Sequence, residues 1–88
     1  MKTIYKYRIS RKGKTVLNLP VGAEVTSFQI QHGQLNIWAL VDHTQETQSR
    51  CFQVIETGEE IDNYTESFKF IGTVQLDSGN IVVHLFEI

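Results

Sequence analysis

Apolar residues along the chain recur mainly at every second position, the period of a strand rather than a helix. In the opening segment Tyr5, Tyr7 and Ile9 share one parity, and Lys6 and Arg8 share the other. The alternation predicts tyrosines toward a core and cations toward water. Val16, Leu17 and Leu19 form a second short segment that Pro20 ends, since a missing amide suits an edge or a turn. Val25, Phe28 and Ile30 mark a third strand over Glu24–Gln31, and His32-Gly33 reads as the turn that follows. Leu35 to Val41 then returns as a nearly unbroken apolar run, which predicts a central strand shielded on both sides.

Asp42 to Ser49 is polar and predicts a loop, and Arg50–Ile55 predicts a fifth strand. Glu59–Ser67 has the weakest pattern, with a short helical turn expected near Tyr64. Phe68, Phe70, Ile71 and Val74 open a sixth strand, and Asp77-Ser78-Gly79-Asn80 supplies turn residues before a last strand over Ile81–Ile88. No segment holds a helical stripe for three turns. The expected fold is all-β: one small antiparallel barrel or sandwich of about six to seven strands, a single domain over residues 1–88. FQIQHGQLNIWALV and TVQLDSGNIVVHLFEI share the order strand, glycine-containing turn, apolar strand, so two similar hairpins packed together would complete it.

Composition narrows this picture. Eighty-eight residues with 41% hydrophobic content fill one core and no second. Cys51 is alone, so no internal disulfide forms. MKTIYKYRIS lacks the apolar stretch of a signal peptide, and no run approaches the length needed to cross a bilayer. These features predict a cytoplasmic protein with no membrane association.

Charge is distributed unevenly. Lys2, Lys6, Arg8, Arg11, Lys12 and Lys14 are six of the eight basic residues, and no acid precedes Glu24. The first fourteen residues therefore carry +6 within a chain whose net charge is −2. This cluster is the leading candidate interaction surface, read as the charged side of an edge hairpin with Arg11-Lys12-Gly13-Lys14 as its tip. Glu56, Glu59, Glu60, Asp62 and Glu66 form a secondary acidic surface, able to meet a basic partner or the basic end of another copy.

Specific chemistry has little support in the residues. His32, His43, Cys51 and His84 have no metal-ligand spacing, so no metal or other cofactor is expected. His84 lies in an apolar strand, where a hydrogen-bonded structural role is the simpler reading. Cys51 has no local histidine to activate it, and Glu59-Glu60 are merely adjacent, so no catalytic residue is assigned and a non-enzyme is expected. The neighbours of Trp38 favour a buried position, with a partner interface as the alternative, and Phe52, Phe68, Phe70 and Phe86 read as packing residues.

Gly33-Gln34-Leu35-Asn36-Ile37-Trp38-Ala39-Leu40-Val41-Asp42, together with MKTIYKY, LPVGAEVTSFQIQ, FIGTVQL and VVHLFEI, resembles a small uncharacterised protein family of bacteriophages and bacterial genomes. The resemblance covers nearly the whole chain and implies a phage-associated setting in the host cytoplasm, with no functional residues to transfer. It implies a non-enzymatic accessory protein that binds a host or phage protein, inhibition of a host defence complex being one version. A nucleic-acid-binding module using the basic N-terminal hairpin and a self-assembling homo-oligomer are the alternatives.

Overall fold

The computed structural model describes every residue from Met1 to Ile88. Seven antiparallel strands form two sheets packed face to face: β1 (Lys2–Arg8), β2 (Gly13–Pro20), β3 (Glu24–Gln31), β4 (Gln34–Asp42), β5 (Thr47–Glu56), β6 (Lys69–Leu76) and β7 (Ile81–Glu87). The first sheet has the order β1-β4-β3 and the second β2-β5-β7-β6. The result is a small β-sandwich with principal extents of 40 × 31 × 15 Å.

Its core follows from the period-two pattern. Leu35, Ile37, Ala39 and Val41 point inward from β4, joined by Phe28 from β3 and Ile9 just beyond β1. Phe52, Val54, Val74, Leu76, Val83, Leu85 and Leu19 meet them from the second sheet. Tyr7, Leu17, Val25 and Ile71 seal the rim. Tyr5 and Tyr7 both take the inward parity, but only Tyr7 packs against the core; Tyr5, on the edge strand, stays 43% exposed, in edge-to-face contact with Tyr7 at 6.4 Å between ring centroids. Burial and the neighbouring Tyr5 hold the Tyr7 hydroxyl above the usual phenol range.

The two internal resemblances are both hairpins, β3–β4 and β6–β7, and they lie in opposite sheets. Each carries a bulge in its first strand, between Val25 and Ser27 and between Phe70 and Gly72. β3 and β6 lie side by side across the sandwich and close that flank. Gly72 packs directly against Phe28 at this contact, where an added Cβ would stand in ordinary van der Waals contact, 3.5 Å from the Phe28 Cβ.

Several expectations need correction. β1 and β2 do not pair; they are edge strands of different sheets, and residues 9–12 carry the chain across the sandwich. The connection is held by the Ser10 amide donating to Thr15 Oγ1 at 2.9 Å and the Ser10 hydroxyl donating to the Lys12 carbonyl at 2.9 Å. β5 begins at Thr47, inside the expected loop, since Thr47–Ser49 pair through the backbone with Asn18–Pro20 while their own side chains are polar and exposed and show no hydrophobic alternation. The region near Tyr64 forms isolated turns, not a helix.

Trp38 is also displaced from its expected place. It is half-buried on the outer face of the three-stranded sheet, because its parity on β4 is opposite to that of Ile37 and Ala39. Phe52 is fully buried, but Phe68, Phe70 and Phe86 lie outside the main core. With Tyr64 they form a chain of ring contacts at 5.1 to 6.1 Å on the outer face of the four-stranded sheet. The segment 57–68 folds over that face, and Asn63 Nδ2 donates to Gln53 Oε1 at 3.1 Å to pin it. Ile55 is buried beneath it, away from the principal core.

Candidate functional site

The outer face of the three-stranded sheet combines apolar surface with unpaired positive charge. The register sets its side chains in rows across β1, β4 and β3: Ile4-Leu40-Glu24, then Lys6-Trp38-Ser27, then Arg8-Asn36-Gln29. Trp38 takes the central position of this grid, which spans about 10 by 14 Å from strand and residue spacings. The bulge in β3 leaves Thr26 to donate its hydroxyl to the Trp38 carbonyl at 3.1 Å. Ile4 remains 51% exposed beside the half-buried Leu40.

Lys6 Nζ donates to Gln31 Oε1 at 2.8 Å. The register carries that bridge from β1 to β3 diagonally over β4 at Asn36. This explains why Asn36, outward by parity, is only 5% exposed. Its amide nitrogen donates to the Gln34 carbonyl at 3.0 Å. Neither Lys2, Lys6 nor Arg8 has a carboxylate within ion-pair distance. Their stems can pack on the sheet while their charges stay in water, the arrangement of a polar rim around an aromatic centre.

The six basic residues do not form one patch. Lys2, Lys6 and Arg8 share the face around Trp38, while Arg11 and Lys12 stand in the connection at the end of the sandwich. Lys14 lies on the outer face of the second sheet, opposite Gln53. Of the acidic residues, Glu59, Glu60, Asp62 and Glu66 lie in the segment that covers this second outer face, and Glu56 ends β5. Glu56 and Glu59 line a small cleft with Arg11 and Lys12. The acidic and basic clusters therefore meet at one end; Lys2, Lys6 and Arg8 lie on the face opposite the acidic segment, and Lys14 lies on the same face as it.

Residues 1–88 match a family described as a domain of unknown function, DUF7352. The chain belongs to this family. No curated protein and no solved structure has significant similarity to it. The family match covers the whole sandwich.

A second polar constellation escaped the sequence reading. Arg50 and Glu87 both point between the sheets at one end of the sandwich. Arg50 Nε and Nη2 donate to the two Glu87 carboxylate oxygens at 2.7 and 2.8 Å, and Nη1 donates to the Ala23 carbonyl at 2.6 Å. One guanidinium thus ties β5, β7 and the β2–β3 turn together. Its hydrogen bonds and charge hold the Glu87 carboxyl below the usual carboxylate range, with a smaller contribution from Lys69. The trace in sequence is parity: Arg50 aligns with Phe52 and Val54, and Glu87 with Leu85 and Val83.

His84 is held by two threonines. Thr57 Oγ1 lies 2.7 Å from Nε2 and Thr73 Oγ1 lies 2.9 Å from Nδ1, so both ring nitrogens are satisfied. This is the structural role expected for it. Cys51 is half-buried on β5, and no three His, Cys, Asp or Glu side chains come together anywhere in the chain. No helix is long and apolar enough to cross a membrane.

Proposed function

We propose that the chain is a non-enzymatic binding module whose three-stranded outer face docks an acidic patch on a protein partner. The observation that carries this reading is Trp38 at the centre of that face, with Ile4 and Leu40 beside it and Lys2, Lys6 and Arg8 unpaired along β1. Large aromatic side chains dominate the energetics of protein interfaces, and rim cations set partner choice and encounter rate. A phage or host protein is the partner class that the sequence resemblance implies, and steric occupation of its surface is the mode of action. Inhibition of a host defence complex is one form such occupation takes.

Affinity capture with three baits tests the proposal: the native chain, Trp38→Ala, and Lys6→Glu/Arg8→Glu. A partner recovered reproducibly by the native chain and lost by both variants supports it. Equal recovery by all three folded baits overturns the assignment to this face.

A nucleic-acid reading draws on the same geometry, because Trp38 flanked by Lys6 and Ser27 also offers a stacking surface with a backbone-binding cation. Single-stranded RNA or DNA would then bind at low salt, and Lys6→Gln/Arg8→Gln would reduce the salt slope by about 1.4. No retention of either nucleic acid at low salt excludes it.

A further inference from the structure

The three surface clefts differ in charge balance. In one, Arg50 and Lys69 share the lining with Glu24 and Glu87. In another, Arg11 and Lys12 share it with Glu56 and Glu59, none of these last four within ion-pair distance, and Arg11 also reaches the third cleft. The third, a cleft of about 520 Å³ between the β1–β2 connection and the β3–β4 turn, has no acidic residue in its lining. It presents Arg8 and Arg11 over a floor of Ile9, Leu35 and Leu76, all three nearly fully buried. Neither arginine has an ion-pair partner.

We propose that this cleft is an anion site that takes a phosphoryl group, free or carried by a nucleotide, between Arg8 and Arg11. Guanidinium groups present planar, paired donors that fit phosphate oxygens bidentately, and each is fully charged at any physiological pH. An apolar floor strengthens that attraction, because a low-dielectric wall focuses the field of the cations into the cleft. The Gln34 amide at its margin adds a neutral donor. The volume exceeds what a bare phosphate fills and falls within the range of small-ligand pockets, leaving room for an apolar body against Ile9, Leu35 and Leu76. The site shares Arg8 with the docking face but not Trp38 or Lys6, and of the two Arg11 belongs to it alone, so Arg11→Gln and Trp38→Ala distinguish them.

The test is a titration of the complete chain with pyrophosphate and, separately, with adenosine monophosphate, followed residue by residue through amide chemical shifts. Expected are saturable shifts at Ser10, Arg11, Gly33 and Gln34 with a Kd of about 1 mM or tighter. Arg11→Gln, at an exposed position in the connection, should weaken binding about 10- to 100-fold. Lys14→Gln, on the other outer face, should leave it unchanged. Tighter binding of the nucleotide assigns the apolar floor to its nucleoside, and equal affinity assigns the site to the phosphoryl group alone; both results support the proposal. Absence of saturable shifts at those four amides overturns it, as does an equal loss of affinity in Arg11→Gln and Lys14→Gln.

Discussion

At the scale of single residues, the Arg50–Glu87 clasp gives the clearest energetic prediction. Both side chains are largely shielded, and the pair is bidentate with a third bond to the Ala23 carbonyl. Removing the guanidinium would leave a poorly solvated carboxylate and an unpaired carbonyl. Arg50→Ala should therefore cost about 2 kcal/mol and lower the Tm by about 10 °C. Glu87 has its pKa lowered in the fold, so the unfolded chain binds more protons between the two values and stability rises with pH there. The contribution is complete above the unfolded value of about 4.3 and is lost as pH falls through the folded one. Thermal melts of Glu87→Gln should show a flatter acid limb than the native chain. Some slope should persist from Asp42, whose carboxyl is also lowered, first by the Thr44 hydroxyl and then by its amide.

At the scale of elements, the β3–β4 turn shows how closely sequence and backbone agree. Gln31 pairs with Gln34, and His32 and Gly33 have φ of 51° and 75°, so both central residues are left-handed as a type I′ turn requires. Glycine adopts this freely, whereas histidine is strained. His32→Asn should raise stability by about 0.5 kcal/mol and the Tm by about 3 °C, and a rise in neither would contradict the strain. The aromatics separate by layer: Phe52→Ala should cost about 3–5 kcal/mol, while Phe70→Ala, at a site 56% exposed, should cost less than about 1 kcal/mol in denaturant melts. Period-two alternation made all seven strands and both hairpins visible, because each strand has a core-facing side. It could not reveal that β1 pairs with β4, or that Trp38 faces outward, since every residue from Leu35 to Val41 but Asn36 is apolar and its parity carries no contrast. The candidate site was legible only as a cluster of charges. Which of those charges share a face depends on where the chain crosses between sheets, and residues 9–12 look in sequence like an ordinary hairpin tip.

At the scale of the whole molecule, a thin slab presents cations around Trp38 on one face and Glu59, Glu60, Asp62 and Glu66 over the other. Contact between unlike faces of successive copies would be head-to-tail and would not close on itself. Mass measurements over a range of concentration at low salt should then show a graded series that added salt dissolves; a single monomer mass throughout would exclude this mode. The arrangement of edges has a kinetic consequence as well. Tyr7 lies thirty residues from its partner Ile37, whereas Phe28 lies only nine from the same residue. Contacts distant in sequence are slow to form, so β1 should join a sheet already built from the β3–β4 hairpin. As an edge it is also held by one neighbour only. Amide hydrogens along β1 should exchange sooner than those of β4, and a partner seated on its cations should slow them. The strand that presents the positive charge would thus be the last part of the sheet to settle and the first to report that something has bound.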